Sequence, residues 1–302
     1  MLSCTPDTTD RRRESWLSHN KGMSEYLDAA VEIAREAGEI LLSHRGVRFE
    51  LKGEFDLVTA ADHASEKLVV ERLHRRFPDH GIVAEEGGAA EMRSEYRWFV
   101  DPLDGTTNFA HDFPMWNVTL GLARRGTVIA GVVFDPLHNE LFTAERGSGA
   151  YLNGERIHVA AVETLEDALV ATGFPSRRRH KNVNVHFYYQ LAMITHGVRR
   201  AGSAALDLAY TACGRLDAFW EFGLNPWDMA AGTLLVEEAG GQVSGMRGEP
   251  LDLHGPYLLA TNQRIHAESL ALFDEIFHGH YRYPIPEMPA VREGAETGLS
   301  HV

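Results

Sequence analysis

The sequence predicts a mixed α and β protein, and three observations carry that prediction. A helical repeat of apolar residues runs from Ser24 to Leu41. Three strand-like runs separated by turn residues follow between Trp116 and Ala144. Beyond Val170 the chain alternates short strands with helices. The periodic segments together span residues 23–280, and a change of character after 165 divides them into two lobes, about 23–165 and 166–280. Residues 1–22 are polar and aperiodic and are expected to form a disordered extension, with Met23 as an alternative start. Residues 281–302 contain Pro284, Pro286 and Pro289 but no apolar face, and a loose tail is expected there.

In the first helix Leu27, Ala30, Val31, Ala34, Ala37, Ile40 and Leu41 share a face, largely opposite Glu25, Asp28, Glu32 and Arg35. Phe49-Glu50-Leu51 reads as a short strand, and Lys52–Phe55 as a flexible loop before Asp56-Leu57-Val58-Thr59. A second helix is expected from about Asp62 to Phe77, where Pro78 stops it. Gly81–Ala84 reads as a strand ending at Glu85-Glu86. In the segment Arg97–Phe109 an apolar strand delivers Asp101, Pro102 ends it, Asp104 follows, and Gly105-Thr106-Thr107 open a helix.

Strands are then expected at Trp116–Leu122, Val128–Phe134 and Glu140–Ala144, with turns at Arg125-Gly126 and over 135–139. A further strand ends at Gly173-Phe174-Pro175, followed by a basic loop, Ser176–Asn182, and a helix to about Ile194. Helices fit Ser203–Cys213 and Trp227–Ala239, the second opened by Pro226 and closed by Gly240-Gly241. Leu216–Glu221 and Tyr257–Ala260 are expected strands, and a last helix runs from about Gln263 to Phe277.

Composition limits the function classes. Forty-three acidic residues against 29 basic ones leave a net charge of −14, which argues against nonspecific nucleic-acid or anionic-membrane binding. Cys4 and Cys213 are the only cysteines, so neither a disulfide framework nor a thiolate zinc site is expected, and a reducing cytoplasm fits. No apolar run approaches the roughly 20 residues that span a bilayer. The sixteen histidines lack metal-binding spacing and read mostly as surface residues. Arg177-Arg178-Arg179-His180-Lys181 reads as a solvated loop.

The chemistry concentrates in carboxylates at the ends of elements. Glu85 and Asp101 end strands, Asp104 stands in the following turn, and Asp228 lies in the first turn of a helix. Gathered in one crevice and ionised, they would repel one another unless cations lay between them. An all-oxygen set prefers Mg²⁺ or Mn²⁺ to zinc. Taken singly, each residue has an ordinary alternative: Glu85 as a loop acid, Asp101-Pro102 as a turn, Asp228 as a favourable helix start.

Taken together, these residues change the reading. Glu85-Glu86, the block from Asp101 to Phe109 and Trp227-Asp228-Met229-Ala230-Ala231-Gly232 strongly resemble the inositol monophosphatase family. Asp56–Asp62 and Gly202-Ser203-Ala204-Ala205 resemble further family blocks in the same order, and the resemblance covers about residues 24–280. It implies an α+β fold of the sugar-phosphatase type, a layered αβαβα sandwich with the site between its lobes. It also implies two to three Mg²⁺ ions, with Mn²⁺ as a substitute. Glu85, Asp101 and the Leu103 carbonyl would hold one; Asp101, Asp104 and Asp228 a second; Glu85 a weaker third. Gly105 and Thr106 would bind phosphate through backbone N–H groups, with Thr107 beside them. Asp62 would pair with Thr106 to position a water beside Glu85, although by position alone Asp62 reads as a helix cap. Ala204 would leave room for a sugar ring and Glu221 would accept a substrate hydroxyl.

The implied reaction is hydrolysis of an inositol or similar polyol or sugar monophosphate by metal-activated water. Thr107 after Thr106, where the nucleotide and histidinol branches tend to carry lysine, favours the inositol branch. Phosphatases for fructose 1,6-bisphosphate, histidinol phosphate or nucleotide phosphates remain open. So does a regulatory, RNA- or transcription-linked binding protein that keeps the metal site. The resemblance also implies a cytoplasmic, lithium-sensitive homodimer.

Overall fold

The structure, a computed structural model, describes residues 24–46, 49–51, 57–85, 87–90, 94–174 and 182–285. The expected extension 1–22, the loop at 52–56, Glu86, the basic run Arg177–Lys181 and the chain after 285 lie outside the described residues. Two helices open the fold, α1 (Glu25–Ser43) and α2 (Ala60–Arg76), separated by the antiparallel ribbon β1 (Phe49–Leu51) and β2 (Leu57–Thr59). Ser24 caps α1, its hydroxyl accepting the Leu27 N–H at 3.4 Å, where the apolar repeat begins.

An eight-stranded sheet follows: β3 (Gly81–Ala84), β4 (Gly88–Ala90), β5 (Tyr96–Asp104), β6 (Asn117–Arg124), β7 (Thr127–Asp135), β8 (Glu140–Glu145), β9 (Gly149–Leu152) and β10 (Glu155–Arg156). Its order is β10-β9-β8-β7-β6-β5-β3-β4, and only β3 and β5 run parallel. The five-residue helix α3 (Thr106–Ala110) lies between β5 and β6. The second lobe adds β11 (Leu169–Thr172), α4 (Asn184–Ile194), β12 (Gly197–Arg199), α5 (Ala204–Ala212), β13 (Ala218–Phe222), α6 (Pro226–Glu238), β14 (Gln242–Ser244), β15 (Tyr257–Thr261) and α7 (His266–Phe277). Its five strands take the order β12-β11-β13-β15-β14.

Three apolar cores show how these pieces stack. Leu27, Ala34, Leu41, Val69 and Leu73 of α1 and α2 pack on Trp98, Val100, Leu120 and Val132, one face of the large sheet. The alternate residues Phe99 and Val133 face the other way, onto Leu206, Leu208, Met229 and Leu234 of α5 and α6, which also meet Ala171, Phe219 and Ala260 of the small sheet. The far side of the small sheet, with Val170, Trp220 and Leu259, packs on Phe187 and Leu191 of α4 and Phe273 of α7. The result is an α+β sandwich of five layers, αβαβα.

Glycines let the middle layer lie close to the large sheet. A Cβ at Gly121 would fall 2.8 Å from the Ala230 Cβ, and one at Gly131 only 2.9 Å from the Ala231 Cα. Glycine on the strands against alanine on α6 brings the start of that helix down to the strand ends, where the site lies.

Several details differ from the sequence expectation. Pro102 does not end β5: the strand continues to Asp104 through an irregularity, with Asp101 opposite Thr119 and Asp104 opposite Asn117. A proline has no N–H to give the ladder, and a bulge is where a strand tolerates one. The second helix starts two residues early, at Ala60, so Asp62 lies inside its first turn rather than capping it. β4, β9, β10, β12 and β14 are short strands that the pattern does not reveal. His266 is buried between the hydroxyls of Ser244 and Thr261, at 3.0 Å each, unlike the surface histidines expected. At the start of the expected tail, the Tyr283 N–H donates to Gln190 Oε1 at 3.0 Å and its carbonyl accepts from Gln190 Nε2 at 2.6 Å. Among the described residues no helix is long and apolar enough to cross a membrane.

Candidate active site

Because β3 and β5 are parallel and Ala84 pairs with Val100, their C-terminal ends place Glu85 and Asp101 next to each other. Glu85 donates its N–H to the Val100 carbonyl at 3.3 Å and its side chain is half-buried. Asp101 is almost fully buried, with Oδ1 accepting the Leu103 N–H at 3.0 Å. Burial raises its pKa well above the usual carboxylate range, and the charges of Glu85, Asp104 and Asp228 raise it further.

Asp104 is held from several directions. Its Oδ2 accepts from Ser203 Oγ at 2.6 Å, the Ala205 N–H at 2.9 Å and Asn117 Nδ2 at 3.0 Å. Even with these donors, burial keeps its pKa raised. Ser203 also caps α5, accepting the Leu206 N–H at 3.2 Å, so one hydroxyl fixes both the helix start and the aspartate. Asp228 is the third residue of α6, and its Oδ2 accepts the Asn225 N–H at 2.7 Å in a reciprocal capping box. Burial of the carboxyl raises its pKa well above normal, with Asp104 and Glu85 adding to the rise.

The Gly-Thr turn closes one side. Gly105 has φ +91°, and a Cβ there would stand 2.7 Å from the Met115 carbonyl, so both conformation and space require glycine. Thr106 shares its one hydroxyl proton between Asp62 Oδ1 and the Leu103 carbonyl, both at 3.1 Å. Asp62, Thr106 and Leu103 therefore meet. Thr107 is exposed. α3 has only five residues, so any anion here would meet individual N–H groups rather than a helix dipole. On the far wall Ala204 is the first residue of α5, and Glu221 is buried in β13, not at its end. Just after β11, a Cβ at Gly173 would coincide with the Glu221 carboxylate, so any side chain there would have to displace that carboxylate.

Asn117, Asn225 and Asp207 also surround the site and were not singled out in the sequence, where Ala205 stood only as part of the Gly202–Ala205 block. Nothing in the linear chain links Asn117 to Asp104, and Asp207 looks like any acid in a first helical turn. The donor set around Asp101 is entirely oxygen and carries several mutually repelling carboxylates, which suits a hard divalent cation. Among the described residues no three His, Cys, Asp or Glu side chains are already closed into a metal-holding arrangement. The fit thus rests on the donor chemistry and the repulsion that a cation would relieve.

The layered fold and its acidic crevice define the class: this is a phosphatase fold. Residues 22–277 match the inositol monophosphatase family, and the chain belongs to that family. It is 45% identical over 248 residues to an inositol-1-monophosphatase of Synechocystis, covering 80% of this chain and 86% of that one. It is 44% identical over 252 residues to the Nus factor SuhB of Pseudomonas aeruginosa, covering 80% and 93% of the two chains. The solved inositol monophosphatase of Anabaena superposes with a TM-score of 0.76 at 44% identity, over 82% of this chain and 94% of that one.

Proposed function

We propose that this protein is a Mg²⁺-dependent phosphomonoesterase acting on inositol monophosphate or a similar polyol or sugar monophosphate. The observation that carries the reading is Asp101, buried beside Glu85, Asp104 and Asp228 without a basic partner among the charges that act most strongly on it. Such a cluster costs stability in the fold alone, and a divalent cation relieves that cost. Glu85, Asp101, Asp104, Asp228 and the Leu103 carbonyl would hold two to three Mg²⁺ ions, or Mn²⁺ in their place. Leu103 O accepts from Thr106 Oγ1, and a carbonyl oxygen carries two lone pairs, so a metal could share it. Bound there, the metal supplies positive charge that lowers the proton affinity of water and offsets charge on the departing oxygen.

The chain's own residues do the rest. Gly105 and Thr106 N–H groups, with Thr107 at the edge, hold the phosphate. Asp62 orients the Thr106 hydroxyl, and the pair, with Glu85, positions the attacking water. Ala204 and Glu221 face the alcohol half of the substrate. The protein acts in the cytoplasm as a homodimer, and Li⁺ inhibits it by taking a metal position.

Phosphate release from a panel of inositol, sugar and nucleotide monophosphates, with and without Mg²⁺, tests the reading. Inositol or polyol esters should be cleaved best, and only with the metal. Preference for a nucleotide, histidinol phosphate or fructose 1,6-bisphosphate would move the chain to another branch, and no release from any ester would overturn the reading. The near-equal identity to a chain named Nus factor SuhB supports a second reading, a regulatory binding protein that keeps the site. An Asp101→Asn variant that still restores the cellular phenotype of a deletion would favour that one.

A further inference from the structure

Asn117 opens β6 opposite Asp104, just past the irregularity that carries β5 beyond Pro102. Asparagine is a poor strand former, and this one is fully buried with only part of its amide paired. Its Nδ2 donates to Ser203 Oγ at 2.8 Å and to Asp104 Oδ2 at 3.0 Å, one proton for each. Its Oδ1 meets no donor among the described residues. Turning the amide over would face that oxygen to the Asp104 carboxylate, so the carboxylate sets its orientation. A buried amide ordinarily pairs both ends, and one that commits its nitrogen to a site acid while its oxygen stays bare calls for a reason.

The protons at Ser203 supply the reason. Ser203 Oγ accepts from the Leu206 N–H at 3.2 Å and from Asn117, which fills both of its lone pairs. Its one hydroxyl proton is then left to Asp104 Oδ2, at 2.6 Å. Asn117 thus reaches Asp104 twice, through its own N–H and through the proton it aims from Ser203. With the Ala205 N–H at 2.9 Å, three protons converge on Oδ2, and none of the three goes to Oδ1. The ladder between β5 and β6 breaks its register between Asp101 and Asp104, so regular strand pairing does not set the aim of this carboxylate. The side-chain network sets it.

We propose that Asn117 is a positioning residue for the cation site, locking the Ser203 hydroxyl and Asp104 Oδ2 together so that Asp104 Oδ1 is left for the metal. This rests on the metal-dependent reading above and adds to it a residue that touches neither metal nor substrate. Asn117 acts only through Asp104, and half of its action passes through Ser203.

The test titrates Mg²⁺ calorimetrically into the full chain, freed of metal by chelation and dialysis, for the parent, Asn117→Ala, Ser203→Ala and the double variant. A hydrogen bond to a charged group is worth about a tenfold to hundredfold effect. Asn117→Ala should therefore weaken Mg²⁺ binding about tenfold or more. Because the two residues share one network, the double variant should bind within about threefold of the weaker single variant, far from the product of the two losses. Asn117→Thr keeps one hydroxyl proton and should fall between parent and Ala, and it carries the test if Asn117→Ala does not melt cooperatively. A lowered melting temperature with Mg²⁺ affinity unchanged would make Asn117 structural and overturn the inference. Losses that multiply in the double variant would overturn it too, by showing that Asn117 does not act through Ser203. A parent protein that binds no Mg²⁺ would instead overturn the metal-dependent reading itself.

Discussion

Asp101 and Glu140 lie on strands of the same sheet, yet their carboxylates face opposite conditions. Glu140 opens β8 and is gripped by both Arg215 guanidinium nitrogens at 2.6 Å, which holds its carboxyl below the usual range. Asp101 near the end of β5 accepts one backbone N–H and otherwise meets burial and three other carboxylates, which drive it up. Glu275 with Arg282 repeats the Glu140 pattern on the second lobe, at 2.8 Å twice. These two shell acids come with their counter-charge. Among the described residues Asp101, Asp104 and Asp228 have no such grip, and burial raises all three. A fold keeps the first kind for its own stability, whereas the second kind costs stability and must be explained by what binds there.

The largest expected effect breaks the comparison at the crevice. Asp101→Asn and Asp104→Asn should each lower Mg²⁺-dependent turnover by orders of magnitude, on the scale of removing charge from a shared metal site. Asp101→Asn should at the same time raise the melting temperature of the chelator-treated protein, because one repelling charge is gone. Near-normal turnover in either variant would show that the shared site is misassigned.

Next in size is the packing that brings α6 to the strand ends. Gly131→Val would drive a side chain into the Ala231 backbone and should cost about 1–3 kcal/mol of stability. Since Asp228 rides on α6, turnover should fall more than the modest melting shift alone explains. An unaltered denaturation midpoint would mean that the helix and sheet can separate freely there.

pH sharpens the comparison by sign. For Asp101, Asp104 and Asp228 the folded pKa lies above the unfolded one, so between those values the folded state holds more protons and stability falls as pH rises. Glu140 is the reverse: its contribution is present above the ordinary carboxylate pKa and is lost as pH falls through its lowered value. Melting curves of the chelated protein, taken upward from about pH 4, should show a decline that Asp101→Asn weakens and Arg215→Ala does not. The smallest effect belongs to Arg215→Ala itself, which should cost about 1 kcal/mol or less and leave turnover alone, because the pair is partly exposed. A strong loss of turnover in that variant would tie the shell to the site.

Much of this was legible in the chain because local chemistry decides it. Ser24 before an apolar repeat marks α1, and Pro226 with Gly240 brackets α6. The block from Asp101 to Phe109 carries its turn and two of its carboxylates in nine consecutive residues. What escaped depends on partners far along the chain. Strands of two to four residues such as β10 and β12 exist only through pairing, since so few residues carry no readable alternation. The continuation of β5 past Pro102 is set by β6 across the irregularity. Asn117 and Asp207 gain meaning only when α5 comes down beside Asp104. His266 is buried because Ser244 and Thr261 happen to flank it in space.

The central proposal, that the crevice acids, raised by burial and by one another's charge, bind a divalent cation, is tested most directly by proton release. Mg²⁺ titrated calorimetrically into the chelated protein at about pH 6, in buffers of different ionisation enthalpy, counts the protons displaced on binding. The account predicts saturable binding with net proton release, reduced in Asp101→Asn and unchanged in Arg215→Ala. Absence of binding, or binding with no proton released by the parent protein, would contradict it.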